Sequence, residues 1–233
     1  MGARFRAEYL ILSIARTLSA REKITLDELS EIAETPSDFA ESVLSSLGIE
    51  SRELKREDLP VIIVRAWKAG FPLLDMALSA GWSTLEELVG VLLEEHGFTC
   101  RRNVRVKLAG RRYEIDLLAL KGDILLCVDC KRWTKARVSE LKRAAINQKD
   151  RCGAVARLIE SGEVPCLGIA AEVKVFPVIV PLHSTAISSH EGVLVVGIYD
   201  LAAILRDISS VLLAEAGAQH FKARCVGYRK KQI

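Results

Sequence analysis

The sequence predicts an α/β fold, a mixed sheet flanked by helices and preceded by a small all-helical part. Apolar residues recur at helical spacing through the first 97 positions. The pattern then changes abruptly to three strand-like runs joined by short polar turns. Beyond these, helical and strand-like stretches alternate, as they do when helices cover a sheet.

Taken in order, residues 1–18 read as a first amphipathic helix, because Glu8 and Arg16 interrupt an apolar run that would otherwise resemble a signal segment. Thr25 with Glu28, and Thr35-Pro36 with Asp38, are helix-start signals for helices over 26–33 and 39–47. Helices over 61–69 and 72–80 follow, ended by Gly70 and Gly81. A helix-turn-helix could be built from the pair over 26–47, but the acidity of this region speaks against groove reading.

A longer helix runs from Ser83 to Gly97, with Leu85, Leu88, Val89, Leu92 and Leu93 on one face. Strands are expected over 103–108, 112–120 and 124–131, connected through Ala109-Gly110 and Lys121-Gly122-Asp123. A helix over 138–160 carries Gly153, which weakens its continuity, and strands near 175–180 and 193–198 precede a last helix over 199–208. The expected division is a helical N-terminal domain over 1–81 for interaction or target choice, a main domain over 82–211, and a basic tail over 212–233.

Charge is distributed unevenly. Residues 1–97 have a net charge of −7, residues 98–151 of +9 and residues 152–233 of +1, so a total of +3 hides a basic middle. A concentrated positive segment suits a phosphate backbone. No apolar run approaches the roughly 20 residues of a membrane span, so no membrane association and a cytoplasmic location are expected. Six cysteines without a secretory signal do not suggest an extracellular disulfide framework. Cys127 and Cys130 form a C-x-x-C, yet no second pair or neighbouring His pair completes four zinc ligands, and a place in the core is expected for them.

The chemistry centres on Asp116, Asp129 and Lys131. Residues two apart on a strand face the same way, so Asp129 and Lys131 share a face, and a neighbouring hairpin strand can bring Asp116 beside them. Two acids in apolar strands are costly unless a cation intervenes, and a divalent metal would supply it. Magnesium, with Mn²⁺ able to substitute, suits two carboxylates, the backbone carbonyl of Cys130 and a phosphate oxygen. Lys131 would then position or help deprotonate the nucleophile.

The segments Leu85-Glu86-Glu87-Leu88-Val89-Gly90-Val91-Leu92-Leu93-Glu94-Glu95-His96-Gly97-Phe98, Glu114-Ile115-Asp116-Leu117-Leu118-Ala119 and Val128-Asp129-Cys130-Lys131-Arg132-Trp133 resemble the PD-(D/E)XK nucleases. They are most similar to the Mrr-type restriction endonucleases and the archaeal Holliday-junction resolvases. Ile115 stands where the motif name has proline, and Asp129 where glutamate or glutamine is commoner.

The resemblance implies a restriction-endonuclease-like fold and a Mg²⁺-dependent DNA endonuclease acting on double-stranded or branched DNA, in defence or in repair and recombination. It also implies a homodimer, and the N-terminal helical part would then serve dimerisation, binding of a protein partner or target choice. Asp116 and Asp129 would be metal ligands, Lys131 the catalytic lysine, and Glu86 the helix glutamate completing the metal or water network. Ser83-Thr84-Leu85-Glu86 is equally a capping box in which Glu86 serves only the backbone. For DNA contact the expected residues are Arg132 and Lys135 beside the site, Arg111 and Arg112 on the hairpin, and Gln148 on the following helix. Trp133 could stack on a base or pack under that helix. The alternative is a catalytically inactive nuclease-like module that binds DNA or protein, which an intact triad argues against.

Overall fold

The computed structural model describes residues 2–72, 76, 85–133, 137–164, 171–182, 188–214 and 219–225. Contacts divide the chain into two units, Met1–Val91 and Leu92–Ile233.

In the first unit, α1 (Ala3–Ala20) buries Leu10, Ile11, Ile14 and Leu18, one stripe at helical spacing. The sequence predicted only helices here. Instead β1 (Lys23–Thr25) pairs antiparallel with β2 (Glu53–Lys55), with Ile24 opposite Leu54 and both buried. Runs of three residues are too short for alternation to register as a pattern. Between these strands lie α2 (Leu26–Ile32) and α3 (Ser37–Ser46), and α4 (Leu59–Lys68) follows. The Thr25 box forms as expected: Thr25 Oγ1 accepts from the Glu28 amide at 3.3 Å, and Glu28 Oε2 accepts from the Thr25 amide at 2.8 Å. The helix expected over 72–80 falls almost entirely outside the described residues. Helix α5 (Leu85–Glu95) runs across the division.

The second unit is a seven-stranded mixed sheet. β3 (Thr99–Leu108), β4 (Arg111–Lys121) and β5 (Ile124–Lys131) form the expected antiparallel meander. Ala109 and Gly110, at φ 49° and 83°, make the tight turn between the first two. Helix α6 (Val138–Glu160) crosses over to β6 (Glu172–Pro181), which lies parallel to β5 along its whole length. α6 is continuous through Gly153, where a Cβ would stand 3.4 Å from the Phe221 ring. The glycine answers a close approach to the sheet and does not break the helix.

β7 (Ser188–His190) and β8 (Val193–Val195) add a short hairpin, and β8 pairs parallel with the C-terminal half of β6. The last helix is two pieces, α7 (Ile198–Ile204) and α8 (Ile208–Ala214), joined by a 3-10 turn at Leu205–Asp207. β9 (Phe221–Arg224), expected within a basic tail, pairs antiparallel with the N-terminal half of β6. Ala223 is buried in the core while Lys222 and Arg224 are exposed, so these two residues of the expected tail are the solvent face of an edge strand, and Arg229, Lys230 and Lys231 lie outside the described residues. The architecture is the restriction-endonuclease-like α/β fold that the sequence predicted.

One core positions everything that follows. Leu118, Leu120, Leu125 and Cys127 of the sheet pack against Cys152, Val155, Leu158 and Ile159 of α6. The N-terminal half of that helix passes over the C-terminal end of β5. In parallel βαβ units that end of the strands is where side chains emerge toward a ligand.

Candidate active site

β4 changes phase where chemistry is expected. Tyr113 and Ile115 face the α6 core, but so do Leu118 and Leu120, so the alternation slips across Asp116. The β3 pairing skips Asn103 opposite Asp116, with Asn103 at φ 53°, and the β5 pairing stops at Leu117 with Val128. Continued one step, that register sets Asp116 opposite Asp129. Freed from the ladder, the Asp116 carboxylate reaches across to β5, where its Oδ2 accepts from the Cys130 backbone amide at 2.7 Å.

Asp129 is 3% exposed. A buried carboxylate requires compensation, and it has two cations. Lys131 Nζ lies 2.8 Å from Oδ1 and 2.7 Å from Oδ2, and Arg151 Nη1 of α6 donates to Oδ1 at 3.0 Å. The ammonium sits between the two oxygens, but its hydrogen bond serves Oδ1. Oδ2 is buried with no hydrogen-bond partner.

Asp129 and Lys131 thus meet, and Asp116 reaches the amide of the residue between them, with Arg151 as an addition. Two acids were expected to need a metal for charge balance, and the two cations beside them, Lys131 and Arg151, both pair with Asp129. The two carboxylates are hard-oxygen donors of the kind magnesium uses with water and phosphate. Among the described residues no group of three or more His, Cys, Asp or Glu stands together, so further ligands would be carbonyl, water or substrate. The Cys130 carbonyl, on the same short segment, suits that role.

Asp129, Lys131, Trp133, Glu140, Arg143, Ala144, Asn147 and Arg151 line a cavity of about 180 Å³. The sequence did not single out Glu140, Arg143, Asn147 or Arg151. Their spacing puts them along one face of α6, but a polar helical stripe looks the same whether it faces solvent or a site.

Gln148 requires correction. It was expected at the DNA, yet it is wholly buried, and its Nε2 donates to the Cys127 carbonyl at 2.7 Å and reaches the Val178 carbonyl at 3.4 Å. Its Oε1 accepts from Arg151 Nη1 at 3.2 Å. Gln148 thus ties α6 to β5 and β6 and steadies the guanidinium that holds Asp129.

Arg111 meets Asp150 at 2.6 Å and lies over the Tyr113 ring, so it braces the hairpin against α6. Arg112 and Arg132 are exposed, with no acidic partner among the described residues. Lys135 and Ser83 fall outside the described residues. Glu86, half-buried in the first turn of α5, belongs to the N-terminal unit, and its place in a metal network rests on the resemblance alone. Trp133 packs partly against Leu141, Ala145 and Ile179 while also lining the cavity. Cys127 and Cys130 are both free. Cys127 is buried beside Cys152, whose thiol is pushed up by burial and by that neighbour, and Cys130 is half-buried.

Residues 77–157 match the Mrr_cat family model, described as restriction endonuclease and of the PD-(D/E)XK type. An uncharacterised protein of Archaeoglobus fulgidus is 28% identical over 138 residues, 58% of this chain and 97% of the relative. Among solved structures the chain is similar to AF1548, a protein of unknown function, with 18% identity and a TM-score of 0.33 over 58% of this chain and 78% of that one. It is also similar to VC1899 from Vibrio cholerae, with 15% identity and a TM-score of 0.30 over 94% of this chain and 55% of that one. No helix among the described residues is long and apolar enough to cross a membrane.

Proposed function

We infer that this protein is a metal-dependent endonuclease that hydrolyses phosphodiester bonds in double-stranded or branched DNA. The observation that carries this reading is the buried Asp129 carboxylate, held by Lys131 and Arg151, on the strand whose Cys130 amide anchors Asp116.

Asp116, Asp129 and the Cys130 carbonyl would hold Mg²⁺ or Mn²⁺. The metal supplies Lewis acidity to the phosphate and lowers the pKa of a bound water. The chain's own groups do the rest. Arg151 and Lys131 hold the Asp129 carboxylate in one orientation beside the cavity. Lys131 Nζ lies at the cavity wall, within reach of both the carboxylate and an entering phosphate. Its ammonium would orient the attacking water and offset the negative charge that grows on the phosphoryl oxygens. α6 forms one wall of the cavity, and Asp129 on the other side is buried, which strengthens its interactions. Cleavage of both strands of a duplex asks for two such sites, so a homodimer belongs to this reading.

The test is incubation with supercoiled, linear and four-way-junction DNA in Mg²⁺ or chelator, beside Asp129→Ala and Lys131→Ala. Cleavage by the wild type alone, only with metal, is expected, and each variant should lose about 10²-fold or more in rate. Failure of the wild type to cut any DNA, or equal cutting by Asp129→Ala or in chelator, overturns the assignment.

A further inference from the structure

The cavity beside Asp129 has a second wall that the hydrolytic chemistry does not use. Along α6, Glu140, Arg143, Asn147 and Arg151 follow one another at three- and four-residue steps, with Ala144 next to Arg143, so they form one stripe lining the cavity with Asp129 and Lys131. Two members are already committed. Arg151 holds Asp129, and Glu140 Oε2 accepts from the Arg137 backbone amide at 3.2 Å, capping the helix.

Arg143 and Asn147 differ. Both are exposed, both line the cavity, and neither has an ion-pair or hydrogen-bond partner among the described residues. They sit one turn apart, about 5–6 Å along the axis, with only the Ala144 methyl group beside them. A guanidinium and a carboxamide with their donors unspent, next to a centre that would hold a phosphate, form an anion-recognition pair. A nucleic acid strand cannot end at the phosphate being cut. It continues on either side, and on the α6 side the donors it meets are these two.

Resting on the nuclease reading, we propose that Arg143 and Asn147 form the subsite for a phosphate of the cut strand flanking the scissile one. Arg143 supplies the charge and a planar pair of donors, and Asn147 an orienting amide hydrogen bond. Such contacts fix register on the strand and carry no sequence information.

The test measures binding of the full chain to a short fluorescein-labelled DNA duplex by anisotropy, with Ca²⁺ or chelator to prevent cleavage, across a salt series. Lys142→Ala is the matched control, an exposed cation next in sequence that does not line the cavity. Arg143→Ala should weaken binding about tenfold and equally for unrelated sequences, and should lower the salt slope by about one. Asn147→Ala should weaken it about threefold without changing the slope. Arg143→Glu should go well beyond Arg143→Ala, while Mn²⁺ affinity measured calorimetrically stays at the wild-type value in both. If Arg143→Ala matches Lys142→Ala in affinity and slope while the wild type binds, the subsite is wrong and the nuclease reading stands. Loss of DNA binding in the wild type itself overturns both.

Discussion

Gln148 shows how a side chain with nothing to do at the substrate can decide whether a site exists. It fills a buried position between two parallel strands, satisfies the Cys127 carbonyl and braces Arg151. Gln148→Ala would leave the carbonyl unmet and open a void, at a cost of about 2–4 kcal/mol. Chemical denaturation should show a lower midpoint with an unchanged slope, and an unaltered midpoint would remove Gln148 from this role. Asp129, Lys131 and Asp116 were legible in the sequence because strand alternation and a hairpin suffice to bring them together. Gln148 and Arg151 were not legible. Both lie on a helix rich in charge, and only the tilt of α6 over β5 determines which polar residues face inward. Arg151 in particular supplies a second counter-charge to Asp129, which the reading from two acids alone did not include.

At the scale of elements, the hairpin β3–β4 carries Asp116 into place, and its turn is imperfect. Ala109 occupies left-handed backbone that suits Asn or Gly, and a side chain with a Cβ in that region costs roughly 1 kcal/mol. Ala109→Asn should therefore raise stability, by about 0.5–1 kcal/mol in urea unfolding, and leave DNA cleavage unchanged. A destabilised variant would show that the turn is held by contacts other than its own backbone preference. The same hairpin was readable because Ala109-Gly110 separates two long alternating runs. The pairing of β1 with β2 was not, since three residues contain one buried position each. β9 was hidden for a related reason: Lys222 and Arg224 dominate its composition, while only Ala223 between them reports the buried face. The Asp116 phase slip leaves no sequence signature at all, because it depends on Asn103 leaving the ladder on the neighbouring strand.

For the whole molecule, the decisive quantity is where the positive charge is left over. Residues 98–151 hold a net +9, and each of their acids is occupied within the protein. Glu114 pairs with Arg105, Asp123 with Lys174, Asp150 with Arg111, and Asp129 with Lys131 and Arg151. Asp116 and Glu140 accept from backbone amides. No acid of this segment is left to neutralise Arg112, Arg132, Lys142, Arg143 or Lys149, which have no acidic partner among the described residues. A DNA backbone offers the missing counter-charges, and each phosphate neutralised releases condensed ions and adds about −0.9 to the slope of log affinity against log salt. With Arg132 and Arg143 beside the site and Arg112 on the hairpin, a slope of about −3 or steeper is expected for the full chain on duplex DNA. Anisotropy titrations at increasing KCl measure it directly. A slope near zero would mean that the basic segment does not meet phosphate, and would leave the surplus charge without a ligand.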